Sequence, residues 1–300
     1  MNDAIPPAKP RQFALPATKV FAGVVTCLVL EHKMLKDTVV ESLFDASGRR
    51  IQLGTGAAVN DACDRYGLAQ PAIDYAGIHA RITEHAGIAA PLSVTEFADR
   101  AEAVLERLRG DEGTVSLAAA VRVPFMLSAG SPDLGQAMED EYLPALGRSW
   151  SARFPKYDFR NEVRGRLAGK IGIAGGSAYE RLVAAMAAGP VVGYYFPLAL
   201  SGFSVDAARQ QMADLPETFT LSGGPDACAA LIGCPDLIMK VDGYAPQLEL
   251  SALQGPVPGY GYHFAPYGYN LTFQGRLHLC LASDYVSPGL TVIAPSRRKK

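Results

Sequence analysis

VFAGVVTCLVL, at residues 20–30, is a continuous run of apolar and β-branched residues. A run of this kind, without polar alternation, is typical of a strand buried on both faces of a sheet. VVGYYF, at residues 191–196, predicts a short strand after an alanine-rich helical stretch at 177–188. Because strand-like and helical stretches interleave along the chain, we expect an α/β fold in which a mixed β-sheet is flanked by helices.

Capping signals predict where several helices begin. Ser93 and Glu96 have the spacing of a capping box, and an apolar stripe follows them, which predicts a helix over 94–109. A second helix is expected to begin at Ser131-Pro132-Asp133 and to run to about residue 146. Ser204 is expected to cap a third, through about residue 212.

The remaining apolar stretches predict strands. One is expected over 114–127, and three more follow in the C-terminal part of the chain, over 247–251, 268–274 and 276–283. Gln274-Gly275 separates the last two and indicates a hairpin turn between them.

The ends of the chain differ in composition from its middle. Three prolines lie in the first ten residues, which predicts a flexible N-terminal tail over 1–13. The last four residues, Arg297-Arg298-Lys299-Lys300, are basic, and we expect a basic C-terminal tail over 291–300. Residues 14–290 between them are expected to form a single α/β domain.

Composition excludes several classes of protein. With 49% hydrophobic and 19% charged residues the chain is typical of a globular protein. A net charge of −2 gives no general attraction to nucleic acid. No apolar run approaches the roughly 20 residues of a membrane span, so a cytoplasmic protein is expected. The five cysteines are scattered and no His/Cys cluster accompanies them, so no metal site is expected.

His32 is the candidate general base. It follows the strand predicted at 20–30, and scaffolds often present catalytic groups at strand ends. An imidazole with a pKa of about 6.5 can accept a proton from a hydroxyl or a thiol near neutral pH. Either Glu31 or Asp37 is placed to orient the ring and to stabilise its charged form.

Two distant parts of the chain together carry a family resemblance. One part lies near the beginning of the sequence, at Leu30-Glu31-His32. The other lies near its end and consists of Ser251-Ala252-Leu253-Gln254, Gly268-Tyr269-Asn270 and the stretch over 276–283. In this order the segments resemble the choline/carnitine O-acyltransferase family. The resemblance implies a coenzyme A-dependent acyltransferase-like lobe. It implies acyl transfer between coenzyme A and a small hydroxyl-bearing acceptor, with His32 as the base. Coenzyme A would be a co-substrate, and no bound cofactor is expected.

The resemblance also implies roles for residues outside the histidine segment. Ser251 would contact the acyl oxygen, with Gln254 beside it in the same segment. Tyr157 is the nearest counterpart of a tyrosine signature in the family's substrate pocket, and Tyr269 lies in the matching Gly/Tyr segment. Leu253 stands where the family has the serine that donates to the oxyanion, and leucine has no donor.

Other interpretations stay open. The family normally has two lobes with a tunnel between them, and this chain resembles one of them. The partners expected are therefore acyl-CoA, a small-molecule acceptor, and a homo-oligomer or partner chain that completes the tunnel. The alternative function is a non-catalytic acyltransferase-like lobe that acts as a binding or assembly module. A third interpretation is an unrelated α/β protein whose likeness is accidental.

Overall fold

The computed structural model describes residues 42–52, 58–86, 92–130 and 133–295. Within these ranges strands and helices alternate, which confirms the α/β class predicted from the sequence. No helix in the described part of the chain is long and apolar enough to cross a membrane.

The helices are short and most begin at a side-chain or proline signal. The Ser93 hydroxyl accepts a hydrogen bond from the Glu96 backbone amide, and the Glu96 carboxylate accepts one from the Ser93 backbone amide. The predicted capping box is therefore confirmed. Ser204 caps its helix as predicted, through the amide of Ala207. The α-helices are α1 (Tyr75–Ala86), α2 (Val94–Arg109), α3 (Val115–Ala119), α4 (Leu134–Ala137), α5 (Leu143–Arg153), α6 (Glu180–Ala188), α7 (Val205–Gln211) and α8 (Gly224–Gly233).

The strands form two larger sheets and one small pair. They are β1 (Val123–Leu127), β2 (Phe159–Asn161), β3 (Gly172–Ile173), β4 (Val191–Phe196), β5 (Phe219–Leu221), β6 (Gln247–Glu249), β7 (Leu253–Gln254), β8 (Gly261–Tyr267), β9 (Asn270–Arg276), β10 (Val286–Pro288) and β11 (Leu290–Ile293). Short 3-10 helices lie at Asp64–Tyr66, Met212–Asp214 and Pro235–Leu237.

The first sheet is antiparallel throughout, in the order β1-β4-β11-β5. The short strand predicted from VVGYYF is confirmed, and every residue of β4 is buried. Helix α8 packs against β1 and β4, and all ten of its residues are buried. This helix and sheet form the centre of the hydrophobic core.

The second sheet is mixed, in the order β10-β6-β8-β9-β2. Its inner pairs are antiparallel, whereas both edge strands are parallel to their neighbours. Alternate residues of a strand point to opposite faces. Leu248, Phe264 and Phe273 therefore share an apolar face, and the next register row places Glu249, His263 and Gln274 on the other face.

The helix predicted from residue 131 extends further than expected. Asp133 caps α4 by accepting from the Gln136 amide, and the helical path continues through a π-helical turn, Met138–Tyr142, into α5. The sequence indicated an end near Pro144, because proline lacks the amide that the helix needs. The π-helical turn comes directly before Pro144, which lies in the first turn of α5, so the chain remains helical to Arg153.

One predicted strand is confirmed only in part, and another is wrong. Of residues 114–127, only Val123–Leu127 form a strand; Val115–Ala119 form helix α3, because alanine has a high helix propensity. The strand predicted over 276–283 is wrong: β9 ends at Arg276, and His278 beyond it has a left-handed φ of 64° that a strand does not allow. Strands do form near 247–251 and 268–274, with the bounds of β6 and β9.

The predicted tails fall mostly outside the described residues. The N-terminal tail predicted over 1–13 and the strand predicted at 20–30 both lie outside the described residues. The C-terminal boundary at residue 290 moves, because β11 lies beyond it and pairs with both β4 and β5. The β-branched residues of Leu290–Ile293 explain why this segment joins the sheet.

Candidate functional site

A cleft of about 530 Å³ lies at the end of the second sheet. Its walls come from the segment after the 3-10 helix Pro235–Leu237, from the start of β6 and from the turn between β8 and β9. Its volume lies within the range of small-molecule sites. The residues that line it are Tyr66, Trp150, Ile238, Met239, Lys240, Gly243, Tyr244, Ala245, Gln247, Pro266, Gly268, Tyr269 and Tyr285.

Three tyrosines form an aromatic cluster on one wall. The ring centroid of Tyr66 lies 5.9 Å from that of Tyr244 and 6.0 Å from that of Tyr285. Tyr244 is 63% exposed and Tyr285 is 39% exposed, so both rings remain accessible beside the cleft. The exposed faces of such rings can stack against a planar group.

The two-residue turn Gly268-Tyr269 also lines the cleft. Both residues have left-handed φ angles, 56° and 70°, as a type I′ hairpin turn requires. Glycine adopts this conformation freely, but a tyrosine there is strained. The Tyr269 ring lies 5.3 Å from the ring of Tyr157 and is 41% exposed. Strained residues of this kind concentrate at ligand sites.

Lys240 is the charged residue among those that line the cleft. Its ammonium group donates to the carbonyl of Gly67 over 2.9 Å. Within the described ranges, no carboxylate lies within ion-pair distance of this ammonium. A lysine has three N–H donors, so Lys240 can still bind an anionic group of a ligand.

The predicted site residues lie in three different places. Tyr157 and Tyr269 are brought together, and Tyr269 lines the cleft. Ser251 is buried and its hydroxyl has no hydrogen-bond partner in the described part of the chain, while its carbonyl accepts from Arg209. Gln254 is exposed on β7, where it pairs with Gly172.

The predicted catalytic residues Glu31, His32 and Asp37 lie outside the described residues. Leu253, next to Gln254, is buried. In the described ranges, no group of three or more His, Cys, Asp or Glu side chains could hold a metal ion.

A mostly buried row of polar side chains, Glu249, His263 and Gln274, crosses the second sheet two residues along β6 from the cleft residue Gln247. Glu249 is 1% exposed and accepts a hydrogen bond from Arg276 over 2.7 Å. Burial raises the pKa of Glu249 to about 7, although the Arg276 guanidinium acts to lower it. Directly opposite, burial and the same guanidinium lower the pKa of His263 to about 4. The row therefore holds two titratable groups whose pKa values are shifted toward the neutral forms.

A second buried carboxylate lies at the beginning of α8. Asp226 accepts hydrogen bonds from the Tyr179 hydroxyl over 2.8 Å, from the Gly223 amide over 3.0 Å and from the Thr291 hydroxyl. Burial raises its pKa, and these three donors act to lower it. These hydrogen bonds connect α8 to Thr291 on β11 and to Tyr179 before α6, so Asp226 has a structural role.

Comparisons of this chain with protein-family models, with curated proteins and with solved structures found no match. The resemblance to the choline/carnitine acyltransferases therefore stays a prediction. The geometry of the cleft carries the functional argument.

Sequence reasoning missed most of the cleft. Tyr66 lies in a stretch around 57–66 that was predicted only as a helix, and Lys240, Tyr244 and Tyr285 come from segments without a predicted helix or strand. The chain has 13 tyrosines, and the many that fall after residue 240 are the one signal that pointed to an aromatic site there.

Proposed function

We propose that this chain binds a ligand with a planar ring and an anionic group in the cleft, and that the ligand is coenzyme A or an acyl-CoA. The observation that carries the proposal is the pairing of the tyrosine cluster with Lys240 on one cleft. Stacking of a base on an aromatic side chain contributes about 1–3 kcal/mol. A lysine ammonium is a common partner of phosphate.

Two features support coenzyme A over other ligands. Its adenine ring matches the exposed tyrosines, and its phosphates match the Lys240 ammonium. The family resemblance independently implies coenzyme A as co-substrate. The expected cytoplasmic location stays a prediction.

Acyl transfer is the reaction that we propose for the bound ligand. His32 would remove the proton from the hydroxyl of a small acceptor, with Glu31 or Asp37 as its orienting partner. The acceptor oxygen would bond to the acyl carbon as the C–S bond breaks, and the leaving thiolate of coenzyme A would take the proton from His32. One observation favours the alternative, in which the chain binds the ligand without transferring the acyl group. The Ser251 hydroxyl is buried, and Leu253 has no side-chain donor at the position where the family has its oxyanion serine.

Binding is tested by calorimetric titration of the full chain with coenzyme A and acetyl-CoA. Tyr244→Ala and Lys240→Met should each weaken binding by about tenfold, through lost stacking and a lost charge respectively. Tyr267→Ala is the matched control for the tyrosine, because Tyr267 is 77% exposed and does not line the cleft. Lys170→Met is the control for the charge. Equal affinity in all four variants, or no binding by the wild type, would refute the cleft as the site.

Transfer is tested separately with acetyl-CoA and hydroxyl acceptors such as choline and carnitine. His32→Ala should abolish transfer and leave the affinity for coenzyme A unchanged. A wild-type protein that binds coenzyme A and transfers nothing to any acceptor would favour the binding module.

A further inference from the structure

Strand β2 is the last strand of the second sheet, and its outer side is open. In the described ranges no other strand pairs with that side. Arg160 and Asn161 on the strand and Glu162 directly after it are all exposed. An edge of this kind presents backbone N–H and C=O groups to which another strand can bond.

The hydrogen bonds to β9 show which backbone groups face outward. The Asp158 carbonyl accepts a hydrogen bond from β9, and the Glu162 amide donates one to it. Backbone groups of neighbouring residues in a strand point to opposite sides, so the outward groups belong to Phe159, Asn161 and Val163. The Val163 amide donates to the side chain of Asn161, which is exposed, so a second strand can take over this donor.

The stretch around β2 that can pair is limited on both sides. Residues 155–157 form a turn before it, and Gly165 after it has a left-handed φ of 81°. We call the stretch between them, Asp158-Phe159-Arg160-Asn161-Glu162-Val163-Arg164, the edge segment. Its centre is Asn161, so an antiparallel pairing of two copies that uses the whole segment is centred there.

The charges of the edge segment are arranged about Asn161 with opposite sign. In an antiparallel pairing of two copies centred on Asn161, Asp158 lies opposite Arg164 of the second copy, and Arg160 lies opposite Glu162 of the second copy. The two-fold axis doubles these contacts, which gives four pairs of opposite charge on one face. In the single chain Arg160 pairs with Asp158, but both side chains are more than half exposed, so this pair is easily exchanged.

The other face of the edge segment is apolar apart from Asn161. Phe159 lies against Gly147 of α5, and both Phe159 and Val163 pack on the hydrophobic core. The same pairing places Phe159 opposite Val163 of the second copy. No charge is therefore brought onto the face that packs against the core.

The neighbouring registers bring like charges together. A pairing centred on Arg160 places Arg160 opposite itself and Asp158 opposite Glu162. A pairing centred on Glu162 places Glu162 opposite itself and Arg160 opposite Arg164. Charged side chains on an edge strand usually prevent pairing, and here they do so in each of these registers but not in the one centred on Asn161.

We infer that the edge segment is a self-recognition site, through which a second copy of this chain adds to β2 in antiparallel orientation with the two-fold axis at Asn161. The pairing joins the second sheets of two copies into one continuous sheet. The inference does not depend on the proposed function. The edge segment has seven residues, fewer than the roughly 20–30 per partner of a standard interface, so we expect a weak dimer with a Kd on the order of 0.1 mM.

Charge reversal tests the pairing in the full chain. Arg160→Glu and Glu162→Arg each place like charges opposite one another twice, because of the two-fold axis. Sedimentation velocity at concentrations on both sides of the expected Kd measures the dimer. Each single variant should raise the Kd by about tenfold or more. Lys170→Glu is the matched control, since Lys170 is exposed but lies beyond Gly165, and its Kd should equal that of the wild type.

Two rescues separate the register from a general effect of charge. The double variant Arg160→Glu/Glu162→Arg restores opposite charges and should dimerise like the wild type. An equal mixture of the two single variants should form a heterodimer, because every contact between positions 160 and 162 then joins opposite charges. Asn161→Pro removes an outward amide that β9 does not use, so this variant should fold and stay monomeric.

The outcomes are distinct. A wild type that stays monomeric at every concentration would overturn the inference, and so would a dimer that survives both charge reversals. A folded double variant without a dimer, together with a mixture that forms no heterodimer, would show that the register centred on Asn161 is wrong.

Discussion

Glu249 and His263 lie directly opposite each other on β6 and β8, and both side chains are buried. Arg276 reaches Glu249 from β9, past Gly261, which is its register partner on the strand between them. Burial shifts the pKa of Glu249 up to about 7 and that of His263 down to about 4. The two shifts have opposite effects on the pH dependence of stability.

The effect of each group follows from which state holds its proton. Glu249 has an ordinary pKa of 4.5, so between pH 4.5 and 7 only the folded state keeps its proton, and stability falls as pH rises. His263 has an ordinary pKa of 6.5, so between pH 4 and 6.5 only the unfolded state is protonated, and stability rises with pH. Each effect is on the order of 3 kcal/mol over its range, and in the wild type they largely cancel.

Single substitutions should uncover the two effects. Relative to the wild type, Glu249→Gln should gain stability as pH rises from 4.5 to 7, because the contribution of His263 is left unopposed. His263→Gln should lose stability relative to the wild type as pH rises from 4 to 6.5. Urea unfolding between pH 4 and 8 measures both. Parallel pH profiles for the wild type and the two variants would contradict the opposed pair.

Local signals in the sequence predicted the elements that depend on local chemistry. The Ser93 capping box, the Ser204 cap and the apolar run of β4 were each visible as patterns, and the structure confirms all three. The hairpin turn predicted at Gln274-Gly275 is wrong, because Gly275 lies within β9 and the turn is at Gly268-Tyr269. The Cα of Gly275 faces Tyr260, whose hydroxyl lies 1.7 Å from where a Cβ would be, so glycine serves close packing there.

Long-range pairings could not be predicted from one sequence. Glu249 meets His263 through strand register, and a slip of one residue would have turned both to the other face. The cleft joins Tyr66 to Tyr285, more than two hundred residues apart, and no local pattern links them.

Replacing the buried carboxylate of Asp226 should be strongly destabilising. Asp226→Ala leaves three donors without their acceptor, including the Tyr179 hydroxyl and the Gly223 amide, and should lower the free energy of unfolding by about 3 kcal/mol. The matched control is Asp236→Ala, since Asp236 forms an exposed pair with Arg153 that is worth less than about 1 kcal/mol. Urea denaturation of the two variants decides it, and equal losses would show that the buried network adds little.

Replacing Tyr269 with asparagine should weaken ligand binding while leaving the stability of the fold almost unchanged. In Tyr269→Asn the new residue tolerates the left-handed φ, which recovers about 1 kcal/mol, while the lost ring contact with Tyr157 costs about as much. The melting temperature should therefore change little, and the affinity for coenzyme A should fall several-fold. Tyr157→Ala loses the same ring contact without relief of the backbone, so it should melt lower. A Tyr269→Asn protein that melts as low as Tyr157→Ala would show that the turn holds no strain.

Gly193 should tolerate no side chain, because β4 lies inside the first sheet between β1 and β11. A Cβ there would lie 2.6 Å from the carbonyl oxygen of Val292 and 2.7 Å from the Phe125 ring. Both contacts are shorter than packed atoms allow, so Gly193→Ala should lower the free energy of unfolding by about 2 kcal/mol or more. Gly175→Ala is the matched control, since no atom lies within 4 Å of its Cβ position, and it should change stability by less than about 0.5 kcal/mol. Similar unfolding midpoints in urea for these two alanine variants would mean that the strand shifts at little cost, and the packing of β4 between its neighbours would then be looser than the register implies.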